Sequence, residues 1–271
     1  VWQCRRTAEE CAALIAAGHN QAVVAATGLG INPLFPASKL AWALRNVPEV
    51  RTLHEAGRLR AGTVDSWLLW NLTGGAVFAT DHSNASRTQL FDTGALVFSP
   101  ALGDIFGAPV GCLPRPLPSD SLFGETAKDA TALGAGVAIR AMMGDSHAAL
   151  YGHGIRAPGA VKATYGTGSS LMTLTPSRTT SAHGLSGTIA WTDRHGTAYA
   201  LEGNITVSAQ AATFMAQLLG LTDAAALSTL AQTVPDAGGV TFVPALAGLG
   251  APHWSDDARR TVAGMTHTTR P

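Results

Sequence analysis

The 271-residue chain is short of charge, with 18 Lys and Arg against 18 Asp and Glu, 13% charged residues and a formal net charge of zero. Without a basic excess there is no sustained field to draw in a phosphodiester backbone or an anionic lipid surface, so nucleic acid and membrane are both excluded as partners. Cysteine is equally scarce. Cys4, Cys11 and Cys112 are an odd set with no Cys-x-x-Cys pair, which excludes a disulfide scaffold or zinc module and reads as a reducing compartment. The sequence has no apolar run of the roughly eighteen residues a membrane span requires, and no basic-apolar-small leader at its start. A soluble, cytoplasmic protein is expected.

Apolar residues make up 46% of the chain, enough for a sizeable core and too many for a disordered segment. The first residue is Val1 rather than Met, and Pro271 follows the strand-like Thr261 to Thr266 directly. Both ends read as cut.

Thr7-Ala8-Glu9-Glu10 has the form of a capping box, opening a helix that should run to about Gly18. A second helix is expected over Gln21 to Thr27, ended by Gly28 in the left-handed cap, and Pro36 opens a third that should stop at Pro48. Leu59 to Thr63 reads as extended. Thr63 can then cap a helix through Leu72, with Gly74-Gly75 ending it, and polar Asp81 to Thr88 reads as loop. Ser99-Pro100 begins a further helix, and Pro114, Pro116 and Pro118 suggest an irregular connection before the apolar run Val137 to Met143, a strand by its length.

From Gly159 onward the pattern changes to hairpins. Ala160 to Tyr165, the turn Gly166-Thr167-Gly168 and Ser169 to Thr175 form one; Thr188 to Thr192, a turn at 193–196 and Thr197 to Leu201 form another. Two helices, about Thr206 to Leu219 and Asp223 to Thr233, precede a strand at Val240 to Val243. Strands mixed with helices give an α/β class with two domains, 1–155 and 156–271.

Asp145 is the first candidate for chemistry, because it follows the Val137 to Met143 strand at the end where open α/β sheets place their ligands. It can equally cap the helix that starts at Ser146. The two roles are compatible, since a helix N-terminus favours negative charge and a carboxylate there can accept a substrate hydroxyl proton. Thr164-Tyr165-Gly166-Thr167-Gly168-Ser169-Ser170 is the second candidate: small residues let successive amides face one concavity suited to phosphate oxygens. Read alone, it is also an ordinary hairpin turn. No Walker A loop, Gly-x-Gly-x-x-Gly fingerprint or His-Glu-x-x-His occurs. His147 and His153 read as packing or surface. Trp2 and the loop Gly248 to Trp254 could line a cleft with flat apolar faces, or simply pack.

Taken in order, Val1 to Thr7, Gly62 to Gly75, Thr80 to Thr88, Gly144 to Gly152, Thr164 to Gly168 and Gly248 to Trp254 resemble the FGGY carbohydrate kinases, and the glycerol kinase branch most closely. The resemblance implies two tandem ribonuclease-H-like domains of the actin and hexokinase type, both incomplete in this chain. It implies Mg²⁺-dependent transfer of the ATP γ-phosphoryl to a polyol or sugar hydroxyl, with glycerol giving glycerol 3-phosphate.

On this resemblance Asp145 matches the catalytic base, close to the metal only indirectly through Mg-ATP. Gly166, Thr167 and Gly168 match the phosphate hairpin, while Ala209 and Thr213 fall where the nucleotide is contacted. Trp2 matches a tryptophan that packs on the polyol carbons. Leu34, Ser146 and Ser170 occupy wall positions where glycerol kinases carry Tyr, Gln and a bulky aromatic. Those departures suggest another polyol or a ketopentose of the xylulose, erythritol or ribulose type. A silent homologue that binds sugar or nucleotide is the alternative from outside the enzymes. The family's first phosphate loop and Arg-Glu polyol clamp would lie before Val1, and its adenine segment after Pro271. The 271 residues alone are therefore expected to be inactive, and the whole protein to be a homo-oligomer.

Overall fold

In the computed structural model, residues 4–255 and 257–270 are described. The chain divides into two compact units. The first comprises Val1–Ala160, Thr173–Ser181 and Ser186–Leu201, and the second Val161–Met172, Ala182–Leu185 and Glu202–Pro271.

The first unit opens with helices α1 (Ala8–Ala16), α2 (Asn20–Thr27), α3 (Pro36–Asn46), α4 (Pro48–Glu55) and α5 (Val64–Leu72). Gly28 closes α2 in the left-handed conformation, φ 80°, as expected, with its amide on the Val24 carbonyl. The capping box does not form. Thr7 makes no side-chain cap; its hydroxyl bonds Ser38 Oγ at 2.8 Å instead, and Glu10 pairs with Arg45 at 2.6 Å. Tertiary partners on α3 outcompete the local ones. Thr63 likewise precedes α5 without a side-chain cap. Pro48 does not merely end α3: it is the first residue of α4, where proline's fixed φ and missing N–H carry no cost.

Strand β1 (Ala79–Asp81) follows, then a one-turn helix α6 (His82–Ala85), β2 (Phe91–Asp92), β3 (Val97–Phe98) and α7 (Pro100–Phe106). The expected loop over Asp81 to Thr88 is thus partly strand and partly helix, because the Asp81 side chain caps α6 through the Ser83 and Asn84 amides. Ser99 caps α7 through the Leu102 amide, as its position suggested. The proline-rich connection contains β4 (Arg115–Leu117), paired parallel with β1. Pro116 sits within it, a strand position tolerated where no ladder donor is needed.

β5 (Gly124–Glu125) pairs antiparallel with β6 (Ala138–Ile139). The strand expected from Val137 to Met143 is therefore only two residues long, and helix α8 (Asp145–Gly152) begins after an irregular approach. One core cluster joins Cys11, Val23, Ala41, Leu90, Leu102 and Phe106 across the early helices; a second joins Leu69, Ala79 and Phe123.

β7 (Val161–Tyr165), β8 (Ser169–Thr175), β9 (Ser186–Asp193) and β10 (Gly196–Ile205) form a four-stranded sheet in the order β7-β8-β10-β9. Both hairpins read from the sequence are present, and β9 and β10 extend beyond their expected cores. In the second unit α9 (Ala209–Leu218) and α10 (Ala224–Ala231) precede β11 (Thr241–Val243), which pairs antiparallel with β12 (Thr261–Ala263). Phe214 of α9 stacks with Phe242 of β11 at 6.2 Å between ring centroids.

Candidate active site

Leu34, Asp145 and Ser146 belong to the first unit; Gly166, Thr167, Gly168, Ser170, Ala209 and Thr213 belong to the second. Trp2 lies outside the described residues.

Asp145 is exposed and is the first residue of α8. It stands one residue inside the helix, not at the N-cap: Gly144 holds that place, and Asp145 Oδ1 accepts the Ser146 amide at 2.7 Å. The carboxylate thus meets the positive end of the helix. Leu34 is held by local bonds, its amide donating to Asn32 Oδ1 at 2.9 Å and its carbonyl accepting from Lys39 Nζ at 3.0 Å. Burial pulls the Lys39 ammonium below its ordinary pKa, against the opposing pull of Cys4 and Cys11.

Around β1 and α6 lies a set of buried polar groups that the sequence did not single out. Asp81, wholly buried, accepts on Oδ1 from the Ser83 hydroxyl at 2.9 Å, the Asn84 amide at 3.0 Å and Asn84 Nδ2 at 2.8 Å. On Oδ2 it accepts from the Ser83 amide at 3.0 Å and the Ser119 hydroxyl at 2.6 Å. His82 Nδ1 meets Thr192 Oγ1 at 3.0 Å, and burial holds its imidazole below the ordinary value, only partly offset by Asp81. Asp65 bonds the Thr80 hydroxyl through Oδ2; burial raises its carboxyl, against the hydrogen bonds that favour its charged form. The legible signal for this set was Asp followed by Ser-Asn at 81–84, an N-cap pattern.

In the second unit the Gly166-Thr167-Gly168 turn is folded onto the start of α9. The Ser208 and Ala209 amides donate to the Thr167 and Gly166 carbonyls at 2.8 and 2.9 Å, and Ser169 Oγ bonds Ser208 Oγ at 2.7 Å. The turn does not present all its amides outward, as its small residues suggested, because the Gly166 amide donates to Gly168 O at 3.0 Å. Thr167 is exposed. A side chain at Gly168 would stand 2.5 Å from the Ile205 carbonyl, so only glycine fits there. Ala209 is therefore brought directly to the turn, and Thr213, one helical turn on, is exposed with its hydroxyl 3.5 Å from Ala209 O. Ser208, missed in the sequence, is the residue that fastens the two together.

Ser170 donates to Glu202 Oε1 at 2.7 Å, and Glu202 is buried. The loop Gly248 to Trp254 is tied down by its own backbone and by β10: Ala251 donates to Asn204 O at 2.9 Å, and the Trp254 indole donates to Gly184 O at 2.6 Å. Among the described residues no group of three or more His, Cys, Asp or Glu side chains could hold a metal ion. Also among them, no helix is long and apolar enough to cross a membrane.

The chain is 48% identical over 271 residues to a glycerol kinase of Symbiobacterium thermophilum, covering 99% of this chain and 54% of that protein. It is 45% identical to an apulose kinase of Pectobacterium atrosepticum, covering 100% and 54%. Its structure matches Plasmodium falciparum glycerol kinase with ADP at a TM-score of 0.88 and 32% identity, over 99% of this chain and 54% of that one. Xylulose kinase from Lactobacillus acidophilus shares the fold at a TM-score of 0.83 and 21% identity, over 98% and 54%. The chain spans about half the length of these relatives. Residues 1–152 match the N-terminal domain, and residues 161–271 the C-terminal domain, of the FGGY family of carbohydrate kinases. The mixed α/β chain belongs to that family and carries its actin and hexokinase type of fold.

Proposed function

We propose that the whole protein transfers the γ-phosphoryl group of ATP to a hydroxyl of a polyol or sugar. Residues 1–155 carry the substrate side and 156–271 the nucleotide side. The observation that carries the reading is Asp145, an exposed carboxylate at the first position of α8 with one oxygen already oriented by the Ser146 amide.

In the reaction, Asp145 accepts the proton as the substrate oxygen bonds to the γ-phosphorus; the bond from that phosphorus to the bridging oxygen breaks and ADP leaves. A base in hydrogen-bond reach of the hydroxyl contributes about 10²–10⁴-fold. The phosphates lie against the turn at the head of α9, where Thr167 offers its hydroxyl and the helix end its positive field. Ala209 and Thr213 border the nucleotide. Mg²⁺ would come in bound to the nucleotide's phosphates, the usual arrangement for that ion.

Glycerol is the first substrate, supported by the identity to proteins named glycerol kinase. A ketose or longer polyol is the second reading, supported by the similar identity to an apulose kinase and by Leu34, Ser146 and Ser170 in the wall. Turnover of the whole protein on glycerol, xylulose, erythritol and ribulose decides between them. Asp145→Asn should lower kcat by about 10²-fold or more with the polyol KM little changed. An unchanged kcat would remove Asp145 from the base role.

A further inference from the structure

Asp145 is the working end of a segment whose position its own helix does not determine. A helix of eight residues, α8, is too short to hold itself in place, and the approach from Arg140 to Gly144 has no strand to guide it. Hydrogen bonds from elsewhere hold the segment. The Met142 amide donates to Ser119 O at 3.0 Å, the Gly144 amide donates to Ser83 Oγ at 2.9 Å, and His147 Nε2 meets Thr188 Oγ1 at 3.1 Å.

The first two converge on one group. Ser83 and Ser119 are both buried, and each hydroxyl donates to the Asp81 carboxylate, one to each oxygen. Ser119 is held in turn by Thr192, whose carbonyl accepts the Ser119 amide at 2.7 Å and whose amide donates to Ser119 Oγ at 3.2 Å. The Ser83 hydroxyl therefore has its proton committed to Asp81 and a lone pair committed to Gly144, so it cannot rotate without breaking a charge-assisted bond. Asp81 is placed by the two amides of α6 that it caps.

We propose that Asp81 and Ser83 are positioning residues for phosphoryl transfer: a buried carboxylate, acting through one serine hydroxyl, fixes the backbone at Gly144 and thereby sets where the Asp145 carboxylate stands. This rests on the reading of Asp145 as the base. The need for such a device follows from the chemistry, since proton transfer works only within about 2.6–3.2 Å and a misplacement of about 1 Å can cost 10²-fold. A serine that merely filled the core would have no reason to spend its oxygen on the residue preceding the base.

The test uses the whole protein and compares Ser83→Ala, Ser83→Thr, Asp145→Asn and the double variant Ser83→Ala/Asp145→Asn, with Leu102→Ala, a buried position in the core of the early helices, as a control for lost stability. Ser83→Ala should lower kcat about ten- to a hundredfold with the KM values for ATP and polyol changed less than about threefold. Ser83→Thr, which keeps the hydroxyl, should recover most of it. Leu102→Ala should lower Tm without lowering kcat well below its melting point. In the Asp145→Asn background Ser83→Ala should have no further effect, because residues that act as one unit are not additive.

A normal kcat in Ser83→Ala beside a crippled Asp145→Asn overturns the positioning role and leaves the base intact. A full additional loss in the double variant overturns it too. An active Asp145→Asn defeats the base reading and this inference together. Should Ser83→Ala not fold, Ser119→Ala removes the other hydroxyl from Asp81, and a normal kcat there overturns the proposal.

Discussion

Ser208 donates its backbone amide to the carbonyl of Thr167 at 2.8 Å, 41 positions earlier in the sequence. This bond, with its neighbour from Ala209, turns an ordinary hairpin bend into a structure fixed at the head of a ten-residue helix. A bend in that place meets the helix field end-on, which a free hairpin would not.

Gly168→Ala tests that docking. The added methyl would lie 2.5 Å from Ile205 O and 3.1 Å from Thr206 O, backbone atoms that cannot swing aside, so the turn must lift from α9. Overpacking of this kind costs about 1–3 kcal/mol. In the whole protein the KM for ATP should rise about tenfold or more while the KM for polyol changes little, as read by initial rates with each substrate varied in turn.

The stability of the first unit should fall with acidification through His82. Its imidazole, ordinarily near 6.5, is held lower in the fold by burial. Well above 6.5 the ring is neutral in both states and nothing is lost. As the pH drops, the unfolded chain takes up the proton first, so stability declines from about that point downward. Urea midpoints between pH 7.5 and 5.5 should show the decline, and His82→Gln should flatten part of it.

Asp65 runs the other way. Burial raises its carboxyl above the ordinary 3.8, so the fold favours the protonated form and stability is lost as pH rises through the folded value. Asp65→Asn, which keeps an acceptor for the Thr80 hydroxyl without the charge, should raise Tm at pH 7. The gain should shrink as pH falls toward 3.8, which thermal melts at successive pH values would follow.

The 271-residue chain by itself should show no ATP-dependent phosphorylation of glycerol, xylulose, erythritol or ribulose. Turnover on the order of 1–100 s⁻¹, the range of working kinases, would overturn this expectation. A coupled assay of ADP release measures it directly.

Much of the fold was legible because its signals are local. Gly28 ends α2 and Pro36 starts α3, since proline's φ and glycine's φ > 0 depend on no partner. The hairpin around Gly166 to Gly168 was legible for the same reason. Thr7 misled because a hydroxyl can choose among acceptors, and Ser38, 31 positions away, offered the better one. Val137 to Met143 misled because an apolar run shows that a segment is buried but not what it pairs with; only Ala138 and Ile139 found a ladder, with Gly124 and Glu125.

The sequence by itself determined the candidate residues of the chemistry, Asp145 and the glycine turn, and the order of elements that carries them, because those depend on residue type and on short-range backbone preference. The tertiary structure alone decided that Asp81 lies buried and accepts from Ser119, and that Ser208 holds Thr167. Hydrogen bonds across tens or more of residues form only once the hydrophobic core has brought their partners within about 3 Å, and nothing in a local pattern specifies which distant group will arrive.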